Sequence, residues 1–202
     1  MSHEVEMLEH LVILAKEHGA TTAKIIDAKD IVTDRRVRLK CSVPLCSNYG
    51  RHLMCPPNLM DIEEFEKILA LYDRALLIQI EADVDSSDKC TDTLDADISE
   101  RLDIETGAID CELKLHRLIN LLEAAAFKSG FYLAAGLIGG DCCLCEKCVS
   151  PHSEEGCRHP FQSRPSMEAM GIDVYETCKK NGLSIDFSSK ENVRWTGLIL
   201  LY

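Results

Sequence analysis

The chain has 202 residues, of which 46% are hydrophobic, so it can bury the core of one domain of ordinary size. Its 34 acidic and 22 basic residues give a net charge of −12, which argues against a nucleic-acid partner because phosphates require a basic surface. The sequence contains no apolar run long enough to span a membrane and opens without a secretory signal, so we expect a cytoplasmic protein with no membrane partner.

Eleven cysteines are many for a chain of this length. A cytoplasmic protein keeps its thiols reduced, so this density indicates metal binding rather than disulfide bonds. It also favours an anaerobe as the source, because exposed thiolates and clusters oxidise in air.

The predicted elements alternate between helices and strands along the chain. Apolar residues at helical spacing, with capping residues at the ends, predict helices at 3–18, 61–72, 98–129 and 173–181. Short apolar or alternating runs predict strands at 22–26, 31–39, 75–80, 131–138, 183–187 and 193–201. This alternation predicts a single α/β domain over residues 1–202, with a mixed sheet flanked by helices.

The predicted strand at 31–39 leads into a first cysteine-rich loop, residues 41–57. Cys41, Cys46 and Cys55 follow the spacing C-x4-C-x8-C, which supplies three metal ligands, one fewer than a full set. These cysteines either hold their own metal with a fourth ligand such as His52, or share a ligand with the second group of cysteines. The remaining reading is that they are buried, inert thiols.

A second cysteine-rich loop, residues 139–165, follows the predicted strand at 131–138. Its spacing C-x2-C-x2-C-x8-C resembles the run that wraps a cubane cluster in bacterial ferredoxins, and a [4Fe–4S] cluster needs four thiolates. Zinc is the alternative, although its four thiolates usually come from two separated C-x2-C pairs. Reduced thiols with redox chemistry are a third reading. The four candidate ligands are Cys142, Cys145, Cys148 and Cys157.

Several residues around this loop are candidates for supporting roles. Gly139 and Gly140 permit positive φ, so backbone N–H groups could turn towards the sulfurs. Arg158, with Lys147, would offset the negative charge of a cluster. Cys143 is a spare thiol, or replaces its neighbour Cys142 in an alternative register.

Arg164 and Glu168 lie four residues apart, which predicts an ion pair on one helical turn. In a functional reading, Arg164 faces the cluster or an anionic ligand and Glu168 positions it. In a structural reading, the two form a latch behind the loop. Elsewhere, we predict that Cys90 is an exposed thiol, Cys111 a helix residue rather than a ligand, and His116 a solvated helical histidine.

The motifs CSNYGRHLMCPP, C-x2-C-x2-C-x8-CRHP and RPSMEAMGIDV together resemble the family of predicted metal-binding proteins (domain of unknown function 2284) of anaerobic bacteria and methanogenic archaea. The resemblance covers the chain from about Cys41 onwards. It implies a cysteine-ligated metal or cluster but brings no established reaction with it. The ligands it implies are Cys142, Cys145, Cys148 and Cys157, together with Cys41, Cys46 and Cys55.

The expected function is that of an iron–sulfur protein that transfers electrons, or supports a redox step, for a partner protein. An acidic surface would help it dock onto a basic partner. The sequence has no nucleophile elbow, phosphate loop or H-E-x-x-H motif, so whether it is an enzyme stays open. The alternatives are a zinc-stabilised binding or scaffold module, and an enzyme that uses an open-site cluster held by the three cysteines of the first loop.

Overall fold

The computed structural model describes residues 3–43, 46–83, 96–149, 151–185 and 192–202. The helices in these ranges are α1 (His3–Glu17), α2 (Arg35–Ser42), α3 (Ile62–Leu69), α4 (Ala96–Lys128) and α5 (Val174–Lys180). The strands are β1 (Thr22–Asp27), β2 (Arg74–Asp83), β3 (Ala135–Leu137) and β4 (Asn192–Leu201). None of the described helices combines the length and the apolarity needed to cross a membrane.

The four strands form one sheet in the order β1-β2-β4-β3. Each neighbouring pair is antiparallel, and the long pair β2–β4 forms the middle of the sheet. The predicted α/β class is confirmed. A mixed sheet was expected, and within the described ranges parallel pairing is limited to one isolated bridge between Ile138 and Ser166.

Both faces of the sheet are covered, which explains why β2 is apolar without a break. Leu76 and Ile78 point to one face and pack in a core with α1 and α4. Ala75 and Leu77 point to the other face and pack in a second core with α3 and α5. Because successive strand residues face opposite sides, a strand buried on both faces reads as a continuous apolar run.

The predicted strand at 31–39 is wrong, because residues 35–42 form helix α2. The side chain of Asp34 caps this helix by accepting a hydrogen bond from the Arg36 N–H at 2.7 Å. No residue of α2 is buried. The alternation of apolar and basic residues in this segment therefore does not reflect a strand with one buried face. The first cysteine loop therefore leaves from a helix and not from a strand.

Two other predicted strands also differ from the structure. The predicted strand at 131–138 is reduced to Ala135–Leu137. Residues 183–185 form no strand, and the rest of that predicted element lies outside the described residues, as does Cys90. Asp173 caps α5 as predicted, with its side chain accepting from the Glu176 N–H at 2.9 Å.

Gly139 is the residue that takes the chain from β3 towards the cysteines, and a Cβ there would lie 2.6 Å from the backbone oxygen of Thr196 in β4. Since β4 is held between β2 and β3, we expect Gly139→Ala to lower the free energy of unfolding by about 1–3 kcal/mol. Urea unfolding measures this. Gly156→Ala is the matched control, because its Cβ meets nothing within 4 Å, and it should change stability by less than about 0.5 kcal/mol. Equal midpoints for the two variants would contradict the close approach.

Candidate metal centre

The second cysteine loop, residues 139–165, is closed at its base by backbone hydrogen bonds. The Ile138 N–H donates to Pro165 O at 3.1 Å, and the Met167 N–H donates to Ile138 O at 2.8 Å. The loop therefore leaves and returns at the same point beside β3. Its cysteines therefore lie in a loop whose two ends are hydrogen-bonded to each other beside the sheet.

Backbone N–H groups point at two of the sulfurs in this loop. The sulfur of Cys142 accepts hydrogen bonds from the N–H groups of Leu144 and Arg164, although burial is the larger influence and raises the pKa of this thiol. The sulfur of Cys157 accepts from the His159 N–H at 3.3 Å. These donors are not the predicted Gly139 and Gly140, whose role towards the sulfurs stays a prediction. Such bonds stabilise negative charge on sulfur.

Arg158 forms two contacts within the second cysteine loop. Its guanidinium donates to Lys147 O at 2.9 Å and lies 3.8 Å from the carboxylate of Glu155. These contacts tie the residue before Cys148 to the residue after Cys157. The predicted role of Arg158 in offsetting the charge of a cluster stays a prediction.

The first cysteine loop begins in the last turn of α2, which contains Cys41. The Cys46 N–H donates to Cys41 O at 3.0 Å, and the Cys55 N–H donates to His52 O at 3.2 Å. These two bonds fold the loop on itself and direct three cysteines into one region. His52 is buried, and its Nδ1 has no hydrogen-bond partner.

The electrostatics of the first loop show that it borders the second. Burial is the main cause that raises the pKa of Cys55 to about 12, and the nearby charges of Asp141, Cys46, Cys41 and Cys142 add to it. Asp141 and Cys142 belong to the second loop. The two groups of cysteines are therefore near enough to act on each other electrostatically, through Cys55 in the first loop and Cys142 in the second.

The route by which the loops meet differs from the predicted one. The sequence suggested two neighbouring strands, but the connection runs through the segment that follows the second loop. The Asp34 N–H donates to Gly171 O and the Asp173 N–H donates to Val32 O, each at 2.8 Å. Helix α2 also packs against the 3-10 turn Glu168–Met170. The chain after the second loop thus lies between that loop and α2.

A row of polar side chains along α4 fastens the second loop to the helix. Four residues at positions i, i+4, i+8 and i+11 share one helical face, and each of them hydrogen-bonds residues of the loop or of β3. The Glu112 carboxylate accepts from Cys143 at 3.1 Å, and His116 Nε2 and Asn120 Nδ2 both contact Gln162 O, at 2.8 and 2.9 Å. The fourth member is Glu123. We call these four residues the α4 polar row.

Arg164 pairs with Glu123 rather than with Glu168, the partner that the sequence predicted. The predicted Arg164–Glu168 ion pair is wrong, because Arg164 forms a two-pronged contact with Glu123, with both N···O distances at 2.7 Å. Glu123 also accepts from the Gly136 N–H in β3 at 2.7 Å. The arrangement supports the latch reading of Arg164. Glu168 instead has one carboxylate oxygen, Oε2, that is out of solvent and without a hydrogen-bond partner.

Three single residues complete the comparison with the sequence. His116 was predicted to be solvated and is fully buried, since it faces Gln162 rather than water. Cys111 is buried in the core on the α1 and α4 side, in agreement with its prediction as a helix residue. Cys143 donates a hydrogen bond to Glu112, and its predicted place as a spare thiol beside the four ligands stays a prediction. The helical spacing of the α4 polar row marks one polar face of α4, but it does not identify the partners of that face.

Comparison with known proteins gives one result. No curated protein and no solved structure shows significant similarity to the chain. The model of one family, described as predicted metal-binding protein (DUF2284), matches residues 24–201. That range includes both cysteine loops, the α4 polar row and all of the sheet except the first two residues of β1. The chain therefore belongs to the family of predicted metal-binding proteins (DUF2284).

Proposed function

We propose that Cys142, Cys145, Cys148 and Cys157 hold an iron–sulfur cluster of the [4Fe–4S] type. When bound, such a cluster accepts and releases single electrons, so the function that follows is electron transfer or support of a redox step in a partner protein. The observation that carries the proposal is the environment of the sulfurs in the second loop. The rest of this chain then acts as the frame that holds four thiolates at one edge of a rigid sheet.

The donor set fits a cluster. Hydrogen bonds from backbone N–H groups to sulfur, as at Cys142 and Cys157, are one of the ways a protein sets the potential of an iron–sulfur centre. Burial of Cys142 is a second influence on the potential, because a low dielectric disfavours the more negative reduced state. The hydrogen bonds would raise the reduction potential of the cluster, and burial would lower it.

The spacing of the sulfurs favours a cluster over a single zinc ion. A tetrahedral zinc site with Zn–S bonds of about 2.3 Å holds its sulfurs roughly 3.8 Å apart. Within the described ranges no three cysteine sulfurs lie within 4.8 Å of one another. A cluster has several iron and sulfide atoms between its ligands and holds them farther apart, so the wider arrangement suits it.

The net charge of −12 supports a protein partner with a basic surface. Complementary charge increases the rate at which redox proteins meet, and screening by salt reduces that rate. The proposed partner is therefore a basic redox protein or a basic face of a redox enzyme.

A second candidate function follows from a cleft beside the first loop. The cleft has a volume of about 500 Å³ and is lined in part by Tyr49, Pro56 and Pro57 of this loop and by Arg35 and Arg38 of α2. Three cysteines without a fourth would leave one iron of a cluster open to a ligand. An enzyme with an open-site cluster at the first loop, and a substrate in this cleft, is the alternative that the cleft favours.

Anaerobic purification followed by iron, sulfide and zinc analysis tests the main proposal. We expect a brown protein with about four irons per chain for one cubane, and a paramagnetic signal after reduction. A colourless protein with stoichiometric zinc would reject the cluster and leave a zinc-stabilised module, which chelation should unfold.

A further inference from the structure

A third group of metal-ligating side chains lies between the cysteine loops and α4. One ligand atom each from Glu112, Asp141 and Cys143 lies within 4.8 Å of the other two. The Cys143 sulfur is 3.1 Å from Glu112 Oε2 and 3.3 Å from the backbone oxygen of Asp141. Among the described residues, no other three histidine, cysteine or acidic side chains come this close together.

The backbone at Gly140 leaves room for the carboxylate of Glu112. Gly140, between β3 and Asp141, has φ of +75°, a conformation that favours glycine. A Cβ on Gly140 would lie 2.5 Å from the carboxylate of Glu112. A side chain at this position would therefore force the carboxylate of Glu112 to move.

Three groups that can each carry a negative charge share this place, namely the carboxylates of Glu112 and Asp141 and the thiol of Cys143. Like charges at such short separations repel one another, so a bound cation would stabilise the deprotonated forms of all three.

The carboxylate of Glu168 is a second observation, independent of these three residues. Its Oε2 is out of contact with solvent and has no hydrogen-bond partner. Glu168 acts electrostatically on both Glu112 and Cys41, so its carboxylate lies near the site and near the first loop. A buried carboxylate oxygen without a donor is costly unless a proton or a cation occupies the space beside it.

We propose that Glu112, Asp141 and Cys143 bind a divalent transition-metal ion such as Zn²⁺, in a site separate from the four cysteines of the second loop. One sulfur and two carboxylates suit borderline metals of this kind better than Mg²⁺ or Ca²⁺, which take oxygen ligands alone. Three protein ligands leave a fourth position for water or for Glu168. The site goes beyond the proposed function and stands whether or not the cysteines hold a cluster.

Co²⁺ is the probe that tests the site, because a thiolate ligand gives this ion a distinct charge-transfer absorption. The full chain, purified anaerobically with its own metal, is dialysed against Co²⁺ and analysed for cobalt and iron. We expect one cobalt per chain with no loss of iron. Cys143→Ser and Glu112→Gln should each bind Co²⁺ at least about tenfold more weakly, and Cys143→Ser should lose the charge-transfer band.

Glu146→Gln is the matched control, since Glu146 is an exposed carboxylate in the same loop. It should bind Co²⁺ as the wild type does. Far-UV circular dichroism checks the fold, and Glu112→Gln keeps the shape of the side chain if the cysteine variant misfolds. Three results would each overturn the proposal: no cobalt uptake, uptake matched by loss of iron, or equal affinity in Glu112→Gln and wild type. Iron content in the wild type tests the cluster separately.

Discussion

Cys145→Ser is expected to remove about four irons per chain, whereas Cys46→Ser should leave those four in place. The second loop already has four thiolates, so it can close a cubane without a ligand from the first loop. Cys46 acts on Cys41 and Cys55, within its own loop. Iron analysis and the paramagnetic signal of the reduced protein measure the two losses.

The control for this pair is Cys178→Ala. Cys178 is fully buried in the core on the α5 side, 3.8 Å from the Gln79 side chain, and belongs to neither loop. Its replacement should change stability without changing the iron content. If Cys145→Ser and Cys46→Ser abolish the same signal, the seven cysteines serve one shared centre and the separation of the two loops is wrong.

Arg164→Ala is expected to lower the free energy of unfolding by about 2–4 kcal/mol. The side chains of Arg164 and Glu123 are only 17% and 20% exposed, so the substitution leaves a largely buried carboxylate with one partner, the Gly136 N–H. Arg164 also donates to the backbone oxygens of Ser163 and Phe161. Urea and thermal unfolding under anaerobic conditions measure the change.

Arg158→Ala is the matched control, because Arg158 belongs to the same loop and its side chain is 53% exposed. Its loss should cost less than about 0.5 kcal/mol. A double-mutant cycle with Glu123→Gln isolates the pair, since glutamine keeps an acceptor for Gly136 while removing the charge. A coupling energy near zero, or equal destabilisation by the two arginine variants, would show that the Arg164 contact does not anchor the loop.

The parts of the fold that could be predicted are those that local patterns determine. Apolar spacing gave α1, and the unbroken run in β2 gave a central strand, because burial on both faces leaves a direct mark on the sequence. Asp173 and Glu176 marked the start of α5, because the capping hydrogen bond joins two residues only three positions apart. Each of these signals lies within one element.

Helix α2 shows where local patterns mislead. Val37 and Leu39 alternate with basic residues over too short a stretch to separate period two from period 3.6. The helix buries none of its residues, so it leaves no apolar stripe. Asp34 was the better signal, because an aspartate accepting from the N–H two residues on is a helix cap.

The candidate ligands could be found from spacing, but their surroundings could not. Glu112 and Cys143 are 31 residues apart in the chain, and Glu123 and Arg164 are 41 apart. Only the packing of α4 against the second loop brings these pairs together. Arg164 and Glu168 are close in sequence, and that closeness gave the wrong partner because the chain turns between them.

The position of β3 between the second loop and β4 has a consequence for the order in which the protein is made. β3 is three residues long and pairs only with β4 in the described sheet, and β4 starts at Asn192. All candidate cysteine ligands are thus synthesised before the strand that fixes β3. On the ribosome β3 cannot join the sheet until residues 198–200, its partners, have emerged. We therefore expect metal loading in the native geometry to be a late event, which follows closure of the sheet.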